Sequence, residues 1–146
     1  MKVPKLVLKS DVALPPEQLW RIISDFAAPN RWNPLAQILA CDGDRVGSIR
    51  RVQLAGAGVF VERLDRRDDG QRIYSYAIVE SPLPISNASV EVRVTDNDDE
   101  TATIEWTGTF DSEVLNEFLA VRSFQQVYQG VLDNLVWSVG KRKQDP

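Results

Sequence analysis

Residues 113–141 read as one long amphipathic helix, reached only after a run of strand-like segments. Val114, Phe118, Val121, Phe124, Tyr128, Val131, Leu132, Leu135 and Val139 recur at three- and four-residue spacing, which puts them along one helix face. A stripe of that length has to be buried, and the sheet formed upstream is the one large partner. Gln125 and Gln129 fall on or beside the stripe. Buried amides need hydrogen-bond partners, so a lined cavity suits them better than a dry core. The chain is therefore expected to enclose a pocket between sheet and helix.

The segments before that helix follow a period of two. Lys5 to Leu14 alternates, and Pro15-Pro16 ends it. Pro16 and Glu17 suit the first turn of a short helix carrying Leu19, Trp20, Ile22, Ile23 and Phe26, and Pro29 and Pro34 flank a further loop or helical turn around Trp32. Strands are expected at 38–41, 48–54, 59–66, 72–79, 88–95 and 101–110, with turns at Ala55-Gly56-Ala57-Gly58, Asp68-Asp69-Gly70 and Asp96 to Glu100. The acidic turn lacks the glycine and distal glutamate of a calcium loop. The predicted fold is α+β: a six- or seven-stranded antiparallel sheet wrapped round the C-terminal helix, with two short helices after the first strand and one domain over residues 1–146.

Composition narrows the function. Seventeen basic and 21 acidic residues, a net charge of −4, argue against a nucleic-acid face. The chain has no histidine, which removes the usual general base and metal ligand. Its single cysteine, Cys41, excludes an internal disulfide and a thiolate zinc site and suits apolar packing. No metal or cofactor is implied. The N-terminus carries no signal-peptide core and no apolar run is long enough to insert in a membrane, so a cytoplasmic location is expected.

The order of elements resembles the helix-grip fold of the START-like superfamily, also called SRPBCC or Bet v 1-like. The supporting motifs are Glu17-x-x-Trp20 through Asp25-Phe26, Trp32-x-Pro34, Gly47-Ser48-x-Arg50, Glu62-Arg63-Leu64, Tyr74-x-Tyr76, Leu83-Pro84 and Trp106-Thr107-Gly108-Thr109-Phe110. Together they look like the polyketide cyclase/dehydrase-like branch. The stretch Val46 to Val94 also resembles the plant abscisic acid receptors, where the loops matching Ala55–Gly58 and Ser81–Ile85 act as gate and latch. The chain departs from those receptors at its shorter gate, at Gln37 where they hold the ligand's carboxylate with a lysine, and at Leu132 where they carry an asparagine. The resemblance implies a pocket and leaves the hormone and the signalling role behind.

Alternation puts Arg50, Val52 and Leu54 on one strand face and Phe60, Glu62 and Leu64 on one face of the next. If both faces are inner, Arg50 and Glu62 meet in the pocket, either as a structural ion pair or as a polar anchor for ligand. The receptor resemblance points to ligand contact for Glu62, which without histidine is also the best candidate for a catalytic base. Tyr74 and Tyr76 share a face and serve either as wall or as hydrogen-bond partners. Trp106 shares a face with Ile104 and Phe110, which by alternation is inner, whereas the receptor alignment would turn Glu105 inward through a bulge. Trp32, Leu83, Phe124 and Tyr128 are expected round the pocket mouth, with Gln125 beside them. Leu115, Leu119 and Trp137 fall together on the other side of the long helix, a possible homodimer contact.

The function expected is binding of an apolar or aromatic, lipid- or polyketide-like small molecule. The alternative is a cofactor-free cyclase, dehydratase or isomerase using Glu62 and a tyrosine as acid and base. A third possibility is a subunit acting through a protein partner.

Overall fold

A computed structural model describes residues 5–111 and 117–144, with side chains as far as residue 139. Strands β1 (Lys5–Val12), β2 (Ala36–Cys41), β3 (Ile49–Leu54), β4 (Gly58–Asp68), β5 (Ile73–Glu80), β6 (Ser86–Asp96) and β7 (Ala102–Asp111) form one sheet in the order β1-β7-β6-β5-β4-β3-β2. Every neighbouring pair is antiparallel. The meander from β2 to β7 follows from the tight turns, and β1 closes against β7 at the far edge.

Among the described residues, two helices and a single 3-10 turn accompany the sheet. Pro15 and Pro16 stop β1, and Pro16 sits at the start of helix α1 (Pro16–Ile23), where its missing N–H has no partner to lose. Leu19, Trp20 and Ile23 are the buried side of α1, and the Trp20 indole donates to Asp69 Oδ1 at 3.0 Å, tying the helix to the β4–β5 turn. A 3-10 turn (Pro29–Arg31) leads into β2, and helix α2 (Glu117–Gln144) ends the described chain.

The seven-stranded sheet and C-terminal helix are the expected helix-grip arrangement. Leu8, Val12, Val90, Val92, Ile104 and Phe110 from the sheet share one core with Ala120, Phe124, Leu132, Leu135 and Val139 of α2. Register shifts within the β4–β5 and β6–β7 ladders bend the long strands, as bulges do.

The buried stripe of α2 differs from the expected one at its start. Val114 and Leu115 lie outside the described residues. Phe118 is 73% exposed, and the small Ala120 is buried in its stead. The two are separated by about 200° of helix rotation, so only one can face the sheet, and the line through Phe124, Tyr128 and Leu135 selects Ala120. Gln125 also faces solvent, while Gln129 donates to Asp133 on the helix surface at 2.9 Å. Neither amide serves the lining role read from the stripe. Leu119 and Trp137 are exposed.

Candidate functional site

Arg50 on β3 and Glu62 on β4 are direct partners across the ladder, and both point inward. Arg50 Nε donates to Glu62 Oε1 at 2.8 Å, and Nη1 donates to the Phe26 carbonyl at 2.8 Å. The guanidinium carbon also lies 4.2 Å from the centre of the Phe26 ring and 5.2 Å from that of Tyr76. Burial is the largest influence and works against the Arg50 charge, but Glu62, Tyr76 and Tyr74 together overcome it and hold the guanidinium above its ordinary pKa. The guanidinium thus keeps its charge where water is scarce.

Three phenols surround it. Tyr74 and Tyr76 stand two residues apart on β5, so their rings stack at 6.2 Å between centres. Tyr128 reaches down from α2, its hydroxyl 3.5 Å from Glu62 Oε2. Burial pushes all three phenols above their ordinary pKa, with Glu62 adding to the shift and Arg50 opposing it. They remain neutral hydrogen-bonding groups at any physiological pH.

Trp106 on β7 and Trp32, next to the 3-10 turn, meet edge to face at 6.2 Å. Their Nε1 atoms are buried and have no hydrogen-bond partner among the described residues. A buried donor left unpaired costs about 1–3 kcal/mol. Trp106 is inward because β7 alternates without interruption, and Glu105 faces outward to Lys9 at 3.5 Å.

Trp32, Arg50, Glu62, Tyr74, Tyr76, Trp106 and Tyr128 all line one internal cavity of about 30 Å³. A volume of that order holds about one water molecule. A groove of about 410 Å³ opens beside it, lined by the Ala55-Gly56-Ala57 turn, Leu35, Leu83 and the Ser123, Gln126, Val127 and Gly130 side of α2. Cavity and groove share Asn33, Leu54 and Val131. Asn33 Oδ1 accepts from Asn134 on α2 at 2.9 Å and from the Leu35 N–H at 3.1 Å, so it ties the shared lining to the helix. The loops at 55–58 and 81–85 touch where Gly58, with φ of 115°, leaves room for Pro82; a side chain there would sit 3.0 Å from the proline ring.

Some expected site residues stand elsewhere. Leu83 belongs to the groove and not to the cavity. Phe124 borders neither: it stacks on Phe110 at 4.9 Å and against Tyr128 at 4.5 Å, over Gly108. Gln125 is exposed on the outer side of α2, because its neighbour Phe124 takes the inward direction. Leu54 and Val131 are read from sequence only as part of a strand face and a helix stripe, and Asn33 and Asn134 are not read at all. Asn33 sits inside the Trp32-x-Pro34 motif, the one signal that could have marked it.

The family of polyketide cyclases, dehydrases and lipid transport proteins matches residues 4–139. The chain belongs to that family. It is 30% identical over 79 residues to the abscisic acid receptor PYL6 of Arabidopsis thaliana, a match covering 50% of this chain and 37% of the receptor. The protein XoxI from Bacillus cereus superimposes with a TM-score of 0.82 at 24% identity, over 97% of this chain and 99% of that one. A Thermobifida fusca structure gives 0.79 at 28% identity, over 94% and 93%. For this family member the likeness to XoxI carries the fold alone. Gln37, at the position of the receptor lysine, is exposed on β2, and Leu132 is buried. Among the described residues no helix is long and apolar enough to cross a membrane.

Proposed function

We propose that the whole chain acts as one cytoplasmic domain binding an apolar or aromatic, lipid- or polyketide-like small molecule between sheet and α2. One observation carries the reading: the surface groove and the polar cavity share Asn33, Leu54 and Val131 in their linings. A ligand seated in the groove would reach Arg50, Glu62 and the phenols past Leu54 and Val131. The mostly apolar walls supply affinity, and the few buried polar groups supply orientation. The family's own description, which joins cyclases to lipid transport, supports the same class of ligand.

A second reading rests on the 3.5 Å approach of the Tyr128 phenol to Glu62. A carboxylate beside a phenol is a base beside an acid, the equipment a cofactor-free cyclase or dehydratase would use. Arg50 holds the other carboxylate oxygen, which favours binding over proton transfer.

The test is titration with a neutral apolar fluorophore, N-phenyl-1-naphthylamine, together with native mass spectrometry of protein purified from cells. Saturable, blue-shifted emission, or a retained small molecule, is the expected result. Absence of both would overturn the reading.

A further inference from the structure

The indole donors of Trp32 and Trp106 are buried and unpaired among the described residues, yet both rings line the same cavity. They come from distant parts of the chain, the segment after the 3-10 turn and the middle of β7, and converge at 6.2 Å. Tryptophan N–H groups in a core ordinarily find an acceptor. Two unpaired together in one lined space mark a place that an acceptor fills.

The charge of the lining selects the kind of acceptor. Among the described residues around the cavity, Arg50 is the one cation and Glu62 the one anion, and they neutralise each other at 2.8 Å. A carboxylate ligand would bury a second anion near Glu62 with no cation free to meet it. The indoles, by contrast, are uncharged donors. Resting on the ligand-binding reading above, we infer that the ligand carries an uncharged carbonyl, as a ketone, lactone or quinone does, and that Trp32 and Trp106 donate to it. The Arg50–Glu62 pair then serves as a neutral floor for the cavity and not as a carboxylate clamp.

Three probes of one skeleton separate the possibilities: 2-acetylnaphthalene, 2-ethylnaphthalene and 2-naphthoate. The chain holds four tryptophans, so an amide-type nitrogen–proton spectrum shows four indole cross-peaks, assigned with single Trp→Phe variants. The ketone is expected to move the Trp32 and Trp106 indole protons downfield, and the hydrocarbon to leave them without that shift. The ketone should also bind about tenfold tighter than the hydrocarbon, as one or two added hydrogen bonds imply. Trp106→Phe should shrink that preference, costing the ketone more affinity than it costs the hydrocarbon. Equal binding of ketone and hydrocarbon, with unmoved indole peaks, would overturn the donor assignment and leave the apolar-pocket reading intact. Tightest binding by 2-naphthoate would overturn the neutrality. Binding by none of the three would overturn both this inference and the reading on which it rests. The spectrum is taken on the unaltered protein, so an unstable Trp106→Phe variant does not stop the test.

Discussion

Glu62 faces Arg50 across the β3–β4 ladder at 2.8 Å, and the two residues are only 3% and 8% exposed. Each charge is tolerable there because of the other. Arg50→Met should destabilise the protein by about 3–5 kcal/mol, since it strands the Glu62 carboxylate in a poorly hydrated site. The double variant Arg50→Met, Glu62→Leu should recover most of that loss. Urea unfolding of the two single variants and the double variant measures both. Equal stability of Arg50→Met and the unaltered protein would mean that water reaches the pair.

Glu62→Gln separates the two functional readings. The amide keeps the volume and can still accept from Arg50, but it cannot take a proton. For a binding protein the change should alter ligand affinity or stability and nothing else. For an enzyme it should keep affinity within a few-fold and lower turnover by roughly two to four orders of magnitude, the usual share of a general base. Ligand titration and product analysis on the same variant decide the matter. Product at an unchanged rate would remove Glu62 from any catalytic role.

All three tyrosines of the chain line the cavity, and burial raises the pKa of each. The unfolded chain loses its phenol protons near the ordinary value of about 10. The folded chain keeps them. Between those values the native state binds more protons than the unfolded state, so stability falls as pH rises above about 10 and is unaffected by these groups below it. Absorbance at the tyrosinate band should therefore stay flat through the ordinary phenol range and then rise in one cooperative step with unfolding. Gradual ionisation near the ordinary value in folded protein would show that water enters the cavity freely.

Much of this arrangement was legible in the chain, and the illegible part has a physical pattern. Uninterrupted alternation from Ala102 to Phe110 put Trp106 inside and Glu105 outside, against the bulge that the receptor alignment required. The tight turn between β3 and β4 was enough to bring Arg50 and Glu62 to the same side. Periodicity failed where a small residue carries the contact. Ala120 and Gly108 give little hydrophobic signal, so Phe118 was read as buried and Phe124 as cavity wall. It failed again for Asn33 and Asn134, which meet only because the chain folds back across the sheet.

The position of Phe124 changes what a bulky substitution should do. Tyr76 lines a cavity of about 30 Å³, so Tyr76→Trp should fill it and prevent dye from reaching the polar floor. Phe124 lies off the cavity, clamped by Phe110 and Tyr128, so Phe124→Trp should lower stability by about 1–3 kcal/mol through overpacking and leave the dye site open. Fluorophore titration alongside thermal unfolding distinguishes the two. Loss of dye binding in a stable Phe124→Trp variant would place the ligand deeper along α2 than the groove suggests.

Gly108 decides how closely α2 approaches the sheet. Its position on the inner face of β7 carries no side chain, and the Phe124 ring occupies the space where one would stand. Any β-carbon there meets Cε1 and Cζ of that ring too closely, and the ring cannot yield easily because Phe110 and Tyr128 hold it on both sides. Gly108→Ala should therefore destabilise the protein by about 1–3 kcal/mol, although alanine is otherwise the better residue in a strand. The same push should reach Tyr128 and lengthen its approach to Glu62. Phe124→Leu shortens the opposing side chain and should relieve the clash. Combined with Gly108→Ala it should cost less than the two single changes added together, a favourable coupling of about 0.5–3 kcal/mol in a double-mutant cycle. Strict additivity would show that the helix moves as a body and that the contact between Gly108 and Phe124 does not set its distance from the sheet.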